Sequence, residues 1–216
     1  MNDAAGAGEG QSTTPGADWL RVPPSAPGMR IALYGGSVNP AHRAHLAVAE
    51  TALTRLGVDR VWWMVTPGNP LKTHDGLAPL ASRVAAARAL ARDPRIVVTA
   101  FEAARHYTYT ADTVAFLKAR RPGVRFVFLM GADNLAGLHR WERWRFIAGL
   151  LPIAFVDRPG ATFAPVSARA AIALARWRVP EAEAASRPDR RPPAWVFLHG
   201  PRDPISSTAL RGAASR

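Results

Sequence analysis

"MRIALYGGSVNPAHRAH", residues 29–45, holds most of what the sequence says about fold. The apolar run Met29–Tyr34 ends in Gly35-Gly36, as a buried strand does, and a helix is predicted over 43–56 after a short stretch of turn-forming residues. Two glycines without side chains let backbone N–H groups come close to a ligand, and the positive amino end of the following helix is aimed at the same spot. This is the composition of an anion seat. His42 and His45, related by i,i+3, share one face of the first turn, where imidazoles donate hydrogen bonds to phosphate oxygens and offset charge developing there. A zinc site built on H-x-x-x-H spacing needs an acid and a third ligand, and Arg43-Ala44 supply neither. The plainer alternative is a simple turn followed by two surface histidines. Their clustering directly behind a strand argues against it.

Further strand-like runs lie at 60–65 ("RVWWMV"), 95–99 ("RIVVT"), 124–130 ("VRFVFLM"), 151–156 ("LPIAFV") and 194–199 ("AWVFLH"). Helical stretches are predicted between them, at 80–92, 111–121, 141–149 and 165–177. Strands that are apolar on both faces and alternate with helices predict a doubly wound parallel α/β sheet covered on both sides. Ligands of such sheets collect at the carboxyl ends of the strands, near the point where strand order reverses. Residues 1–28, rich in Gly, Ala, Ser, Thr and Pro, read as a flexible leader, and 29–216 as a single domain. The Pro- and Arg-rich stretch 178–194 reads as a surface connection.

The composition bounds the function. The chain has 216 residues, 48% hydrophobic and 20% charged, as in an ordinary globular protein. No apolar run reaches a membrane-spanning length and no secretory signal pattern opens the chain, so a cytoplasmic protein is expected. Zero cysteines exclude disulfides, thiolate catalysis and cysteine-bound zinc. The formal charge of +12 suits an anionic partner, a nucleotide or a polymer, although a coding bias toward Arg produces the same number. The basic residues are scattered, which weakens the nucleic-acid alternative.

Four more stretches follow predicted strands or close the chain. "TPGNPLK" (66–72) turns at Asn69-Pro70 and carries Lys72 on the loop. "YTYTADT" (107–113) reads as a helix start, with Thr110 as cap and Asp112 in the first turn. "GADNLAGLHRWERW" (131–144) sets Asp133 and Asn134 at a strand's carboxyl end, with Trp141 and Trp144 one turn apart. "DPISSTALR" (203–211) places Ser206, Ser207 and Thr208 at a helix start, with Arg211 able to grip a phosphate bidentately. Each also has a structural reading as cap, turn or core. Trp62-Trp63 reads as buried strand, and His74, His106, His139 and His199 as single histidines.

Together these motifs resemble the signature of the nucleotidylyltransferase superfamily, whose H-x-x-H helix handles the triphosphate of ATP. The fuller pattern is similar to that of the nicotinate-nucleotide adenylyltransferases. Five ordered motifs carry the resemblance over most of 29–211. Val38, Ala41 and Ala44 depart from the usual Phe, Pro and Gly, and the chain ends five residues after Arg211. The resemblance implies a Rossmann-like fold and transfer of the adenylyl group of ATP to nicotinate mononucleotide. It assigns His42 and His45 to catalysis, and Gly35, Gly36, Ser37, Ser206, Ser207 and Arg211, with both histidines, to ATP. Asn39, Lys72, Tyr109, Thr110, Asp133 and Trp141 fall to the acceptor, Trp141 as the ring that stacks on nicotinate and Trp144 as core. Magnesium is expected on the triphosphate, since no carboxylate cluster that cages a metal appears in these loops. Nicotinamide mononucleotide and phosphopantetheine remain alternative acceptors, and a basic nucleic-acid-binding α/β protein without turnover is the alternative of another class.

Overall fold

The computed structural model describes residues 18–68, 76–157 and 167–200. β1 (Arg30–Gly36), β2 (Arg60–Val65), β3 (Ile96–Thr99), β4 (Arg125–Gly131), β5 (Ile153–Val156) and β6 (Trp195–Leu198) form one parallel sheet in the order β3-β2-β1-β4-β5-β6. Strand order reverses between β1 and β4, which pair through Ile31 opposite Phe126 and Tyr34 opposite Leu129.

The two-residue period of the strands builds two cores. Ile31, Leu33, Trp62, Met64, Phe126 and Phe128 point to one face, covered by α4 (Thr110–Arg120), α5 (Asp133–Gly137), α6 (Trp144–Leu150) and α7 (Arg169–Ala173). Ala32, Tyr34, Trp63, Val65, Val127 and Leu129 point to the other, covered by α1 (Arg43–Arg55) and α2 (Leu80–Leu90). The neighbouring Trp62 and Trp63 are both 0% exposed, on opposite faces, so the expected covering on both sides holds. In α1, Ala44, His45, Val48, Ala49, Ala52 and Leu53 are buried at helical spacing, and the chain leaves it through Gly57 at φ +59°. A side chain there would be strained, and its Cβ would meet the Ala185 carbonyl at 3.0 Å.

Several boundaries differ from expectation. Residues 18–28, read as the end of a leader, pack on the domain. The Trp19 carbonyl accepts the Ala100 N–H at 2.7 Å and the Thr99 hydroxyl at 3.0 Å, and Asp18 pairs with Arg88. The helix expected over 141–149 starts only at Trp144, because Trp141 is extended and Arg143 takes a left-handed φ of 51°. Of the helix expected over 165–177, the described residues form α7 and a 3-10 turn, Ala175–Trp177, with no continuous helix. The carbonyl of Leu174 between them accepts the Trp195 indole N–H at 2.8 Å. α3 (Phe101–Ala104) and α5 were not anticipated, and the 178–194 connection contains a 3-10 helix, Glu181–Asp189.

Candidate active site

Gly35 and Gly36 are the last two residues of β1, paired with Met64 and Val65 of β2. Neither has the left-handed backbone that would require glycine. Among the described residues, a Cβ would meet only Met64 Cε at 3.7 Å and Thr66 Cγ2 at 4.0 Å from Gly35, and Val38 Cγ2 at 3.7 Å from Gly36. These are ordinary contacts, so neither backbone angle nor internal packing demands a glycine. Among the described residues the chain gives no reason for glycine at either position, and the missing side chains suit close approach by a ligand.

After Ser37 the chain turns through Val38 (φ 51°) and Asn39-Pro40 to His42. α1 begins at Arg43, as predicted, so His42 stands not in its first turn but at the cap position, in extended backbone (φ −150°, ψ 169°). The i,i+3 relation still brings the imidazoles together, with ring centroids 3.9 Å apart. His42 is 5% exposed and His45 8%, so both are buried at the amino end of α1. Trp63 lies 6.0 Å behind His45, and Tyr34 lies 5.8 Å from Trp63. The sequence reading left Trp63 to the core. It is core, and it also backs an imidazole, as its position on the same sheet face as Tyr34 allows. Ala44 is buried, so its methyl, where relatives of the resembling family have Gly, is mostly accommodated inside the fold.

Asn39, expected at the acceptor, has its amide engaged with the chain itself. Its Nδ2 donates to the Gly76 carbonyl at 2.9 Å, and its Oδ1 accepts the Ala78 N–H at 3.2 Å. Arg83 of α2, absent from the sequence reading, is 3% exposed and donates to main-chain carbonyls of the β1 and β2 exits. A signal for it exists: Arg83, Val84 and Ala87 form the buried stripe of α2, so a charge stands where the pattern is apolar.

Across the strand-order switch, β4 ends at Gly131 and α5 starts with an exposed Asp133. The neighbouring Asn134 side chain donates to the Gly131 carbonyl at 3.3 Å. Tyr109, and not Thr110, occupies the cap position of α4. It is 42% exposed, while Thr110 is the first helical residue. Trp141 is half-buried, packed edge-to-face on Phe128 at 6.1 Å, and Trp144 is in the core as expected. An ion pair between Asp112 and Arg143 ties the first turn of α4 to the start of α6, so the Tyr109-Thr110 and Trp141 stretches lie on adjoining elements.

Behind that stretch, buried Glu102 accepts a hydrogen bond from the Thr113 hydroxyl at 2.6 Å. Burial pushes its carboxyl above the usual range, and the Thr113 bond only partly opposes this. His139 lines a separate cleft with Trp144, Arg145, Arg169 and Ile172, while His199 pairs with Glu181. Asn69, Lys72, His74, Ser206, Ser207 and Arg211 lie outside the described residues.

The arrangement offers glycine backbone, a helix amino end and two imidazoles at one edge of the switch, with a flat indole, a tyrosine and a carboxylate at the other. Donors of this kind on one side of a switch point and an aromatic face on the other suit phosphates and a planar ring. Among the described residues no group of three His, Asp or Glu side chains converges as a metal cage, and no helix is long and apolar enough to cross a membrane.

Comparison with known proteins agrees. Residues 33–213 match the family described as Cytidylyltransferase-like. A protein of Methylorubrum extorquens named "Probable nicotinate-nucleotide adenylyltransferase" is 60% identical over 183 residues, which span 85% of this chain and 99% of that protein. A protein of Rhizobium meliloti with the same name is 56% identical over 187 residues, or 87% and 100% of the two chains. Among solved structures, the nicotinic acid mononucleotide adenylyltransferase of Plasmodium falciparum complexed with NaAD superposes with a TM-score of 0.64 at 17% identity. That superposition covers 85% of this chain and 83% of the other, and it is a likeness of fold.

Proposed function

The chain belongs to the nicotinate-nucleotide adenylyltransferase family, and on that premise we propose that it transfers the adenylyl group of ATP to nicotinate mononucleotide, forming deamido-NAD and pyrophosphate. The observation that carries this reading is the pair of imidazoles 3.9 Å apart at the amino end of α1, beside two glycines at the strand-order switch.

A 5′-phosphate oxygen of the mononucleotide attacks the α-phosphorus of ATP in line. The new P–O bond forms as the bond from the α-phosphorus to the α,β-bridging oxygen breaks, and the bonding pair leaves with pyrophosphate. The incoming phosphate is already nucleophilic at neutral pH, so no general base is needed. The protein's task is alignment and charge stabilisation. His42 and His45 donate to phosphate oxygens, His45 chiefly in the transition state. Gly35, Gly36 and Ser37 admit the triphosphate close to backbone N–H groups.

Lys72 and Arg211 hold the leaving pyrophosphate and Ser206 and Ser207 orient it, roles supported by motif and chain order. At the acceptor, Trp141 stacks on the pyridine ring, with Tyr109, Thr110 and Asp133 around it. Asn39 acts there through the 76–78 backbone that it holds. ATP is taken as its magnesium complex, the metal riding on substrate, since imidazole and hydroxyl donors at the seat suit phosphate oxygens better than a hard cation. The partners are small nucleotides in the cytoplasm, with no nucleic acid required.

Pyrophosphate release with ATP and a panel of acceptors tests the reading. Turnover is expected with nicotinate mononucleotide well above that with nicotinamide mononucleotide or phosphopantetheine. A preference for either of the latter would overturn the acceptor. No release with any of them, together with polymer binding that collapses steeply as salt rises, would favour the nucleic-acid alternative.

A further inference from the structure

We infer that Arg83 is a positioning residue for this transfer: its buried guanidinium fixes the two strand exits that form the phosphate seat relative to each other. The inference rests on the proposed function. Nη1 donates to the carbonyls of Ser37 at 2.6 Å and Thr66 at 2.7 Å, Nη2 to Pro67 at 3.0 Å, and Nε to Ala78 at 2.9 Å. Every one of these acceptors is main chain. None belongs to the body of the sheet, and all lie at or beyond the carboxyl ends of β1 and β2 or just before α2.

The connections close on one another. Ser37 follows Gly36, and the Thr66 N–H donates to the Gly36 carbonyl at 3.0 Å. Asn39, two residues past Ser37, accepts the N–H of the same Ala78 whose carbonyl takes Arg83 Nε. One cation thus braces the backbone on which the seat is built, from three directions, without touching a substrate. Burial disfavours the charged guanidinium, and the planar fork offsets that cost because it offers several N–H groups in fixed directions. A lysine, a single nitrogen on a flexible stem, cannot reach acceptors spread over the three segments.

Were Arg83 only a stabiliser, its removal would reduce the folded fraction and leave each folded molecule fully active. A brace on preorganised donors instead acts where charge develops, and displacement of a seat by about 1 Å is enough to cost roughly 100-fold in rate. The test compares wild type with Arg83→Lys and Arg83→Met in pyrophosphate release at saturating ATP and nicotinate mononucleotide. Circular dichroism and thermal melts fix the folded fraction.

The expected result for a folded variant is kcat lower by about 100-fold with KM for ATP within about threefold, and little recovery by lysine. Wild-type kcat per folded molecule in either variant overturns the inference. So does failure of both to fold, which would make Arg83 a stability residue. A wild type that releases no pyrophosphate from these substrates overturns the proposed function first, and this inference with it.

Discussion

Trp141→Ala separates the two halves of the site. The indole is half-buried. The Trp141 main-chain N–H donates to the Leu138 carbonyl at 3.0 Å, and Phe128, 2% exposed on β4, meets the ring edge-to-face at 6.1 Å and 82°. The ring is therefore held in place while part of its surface stays open to a flat heterocycle. Stacking of a base-like ring on an aromatic side chain contributes about 1–3 kcal/mol. At about 1.4 kcal/mol per factor of ten, its loss raises KM for nicotinate mononucleotide by about 5- to 150-fold. KM for ATP should stay within about twofold and kcat should change little, since the interaction is the same in ground and transition states. Trp141→Phe keeps a flat face and should retain most of the affinity. Initial rates of pyrophosphate release, with one substrate varied at saturation of the other, give both constants, and circular dichroism checks that Phe128 has not lost its packing. A raised KM for ATP with an unchanged KM for the mononucleotide would reverse the two subsites. No change in either would remove Trp141 from the site.

Gly36→Ala should leave the melting temperature within about 2 °C, because the added Cβ meets only Val38 Cγ2 at 3.7 Å, yet raise KM for ATP by about tenfold or more by keeping phosphate off the backbone. Unchanged ATP affinity would argue that nothing approaches there. Glu102→Gln tests a buried acid. Burial raises the folded pKa of Glu102, so above its ordinary value of 4.5 the folded state keeps a proton that the unfolded state has released. Wild-type stability then falls as pH rises toward the folded pKa, by up to about 1.4 kcal/mol per pH unit, while the glutamine variant loses no such contribution. Urea melts at stepped pH from 4.5 upward should show the variant gaining on wild type until the folded pKa is passed. A gap independent of pH would mean that Glu102 ionises in the folded protein as it does in the unfolded chain.

The continuous apolar runs Met29–Tyr34 and Arg60–Val65, set between helical stretches, were enough to read a parallel sheet between helix layers. Local pattern also brought Gly35, Gly36, His42 and His45 to one place, because all four lie within a single strand-turn-helix unit. Features set by distant partners were not legible. Arg83 stands out as a charge in the apolar stripe of α2, but what it holds is not legible until its acceptors, 5 to 46 positions away, are known. Glu102 is an ordinary acid until Thr113 and the core enclose it. The early end of α7 depends on an indole 21 residues further on, and the packing of Trp19 on the β3 end depends on an edge that composition cannot reveal. Backbone angles account for the rest: Arg143 in the left-handed region delays α6, and Tyr109 takes the cap position that Thr110 seemed suited to fill.

The most direct measurement of whether nucleotide phosphates meet the paired imidazoles is kcat of His45→Ala for pyrophosphate release. A fall of about 10²–10⁴ with only a modest change in KM is expected for loss of a donor used in the transition state. Turnover close to wild type in a folded His45→Ala protein would contradict it and take the chemistry away from the amino end of α1.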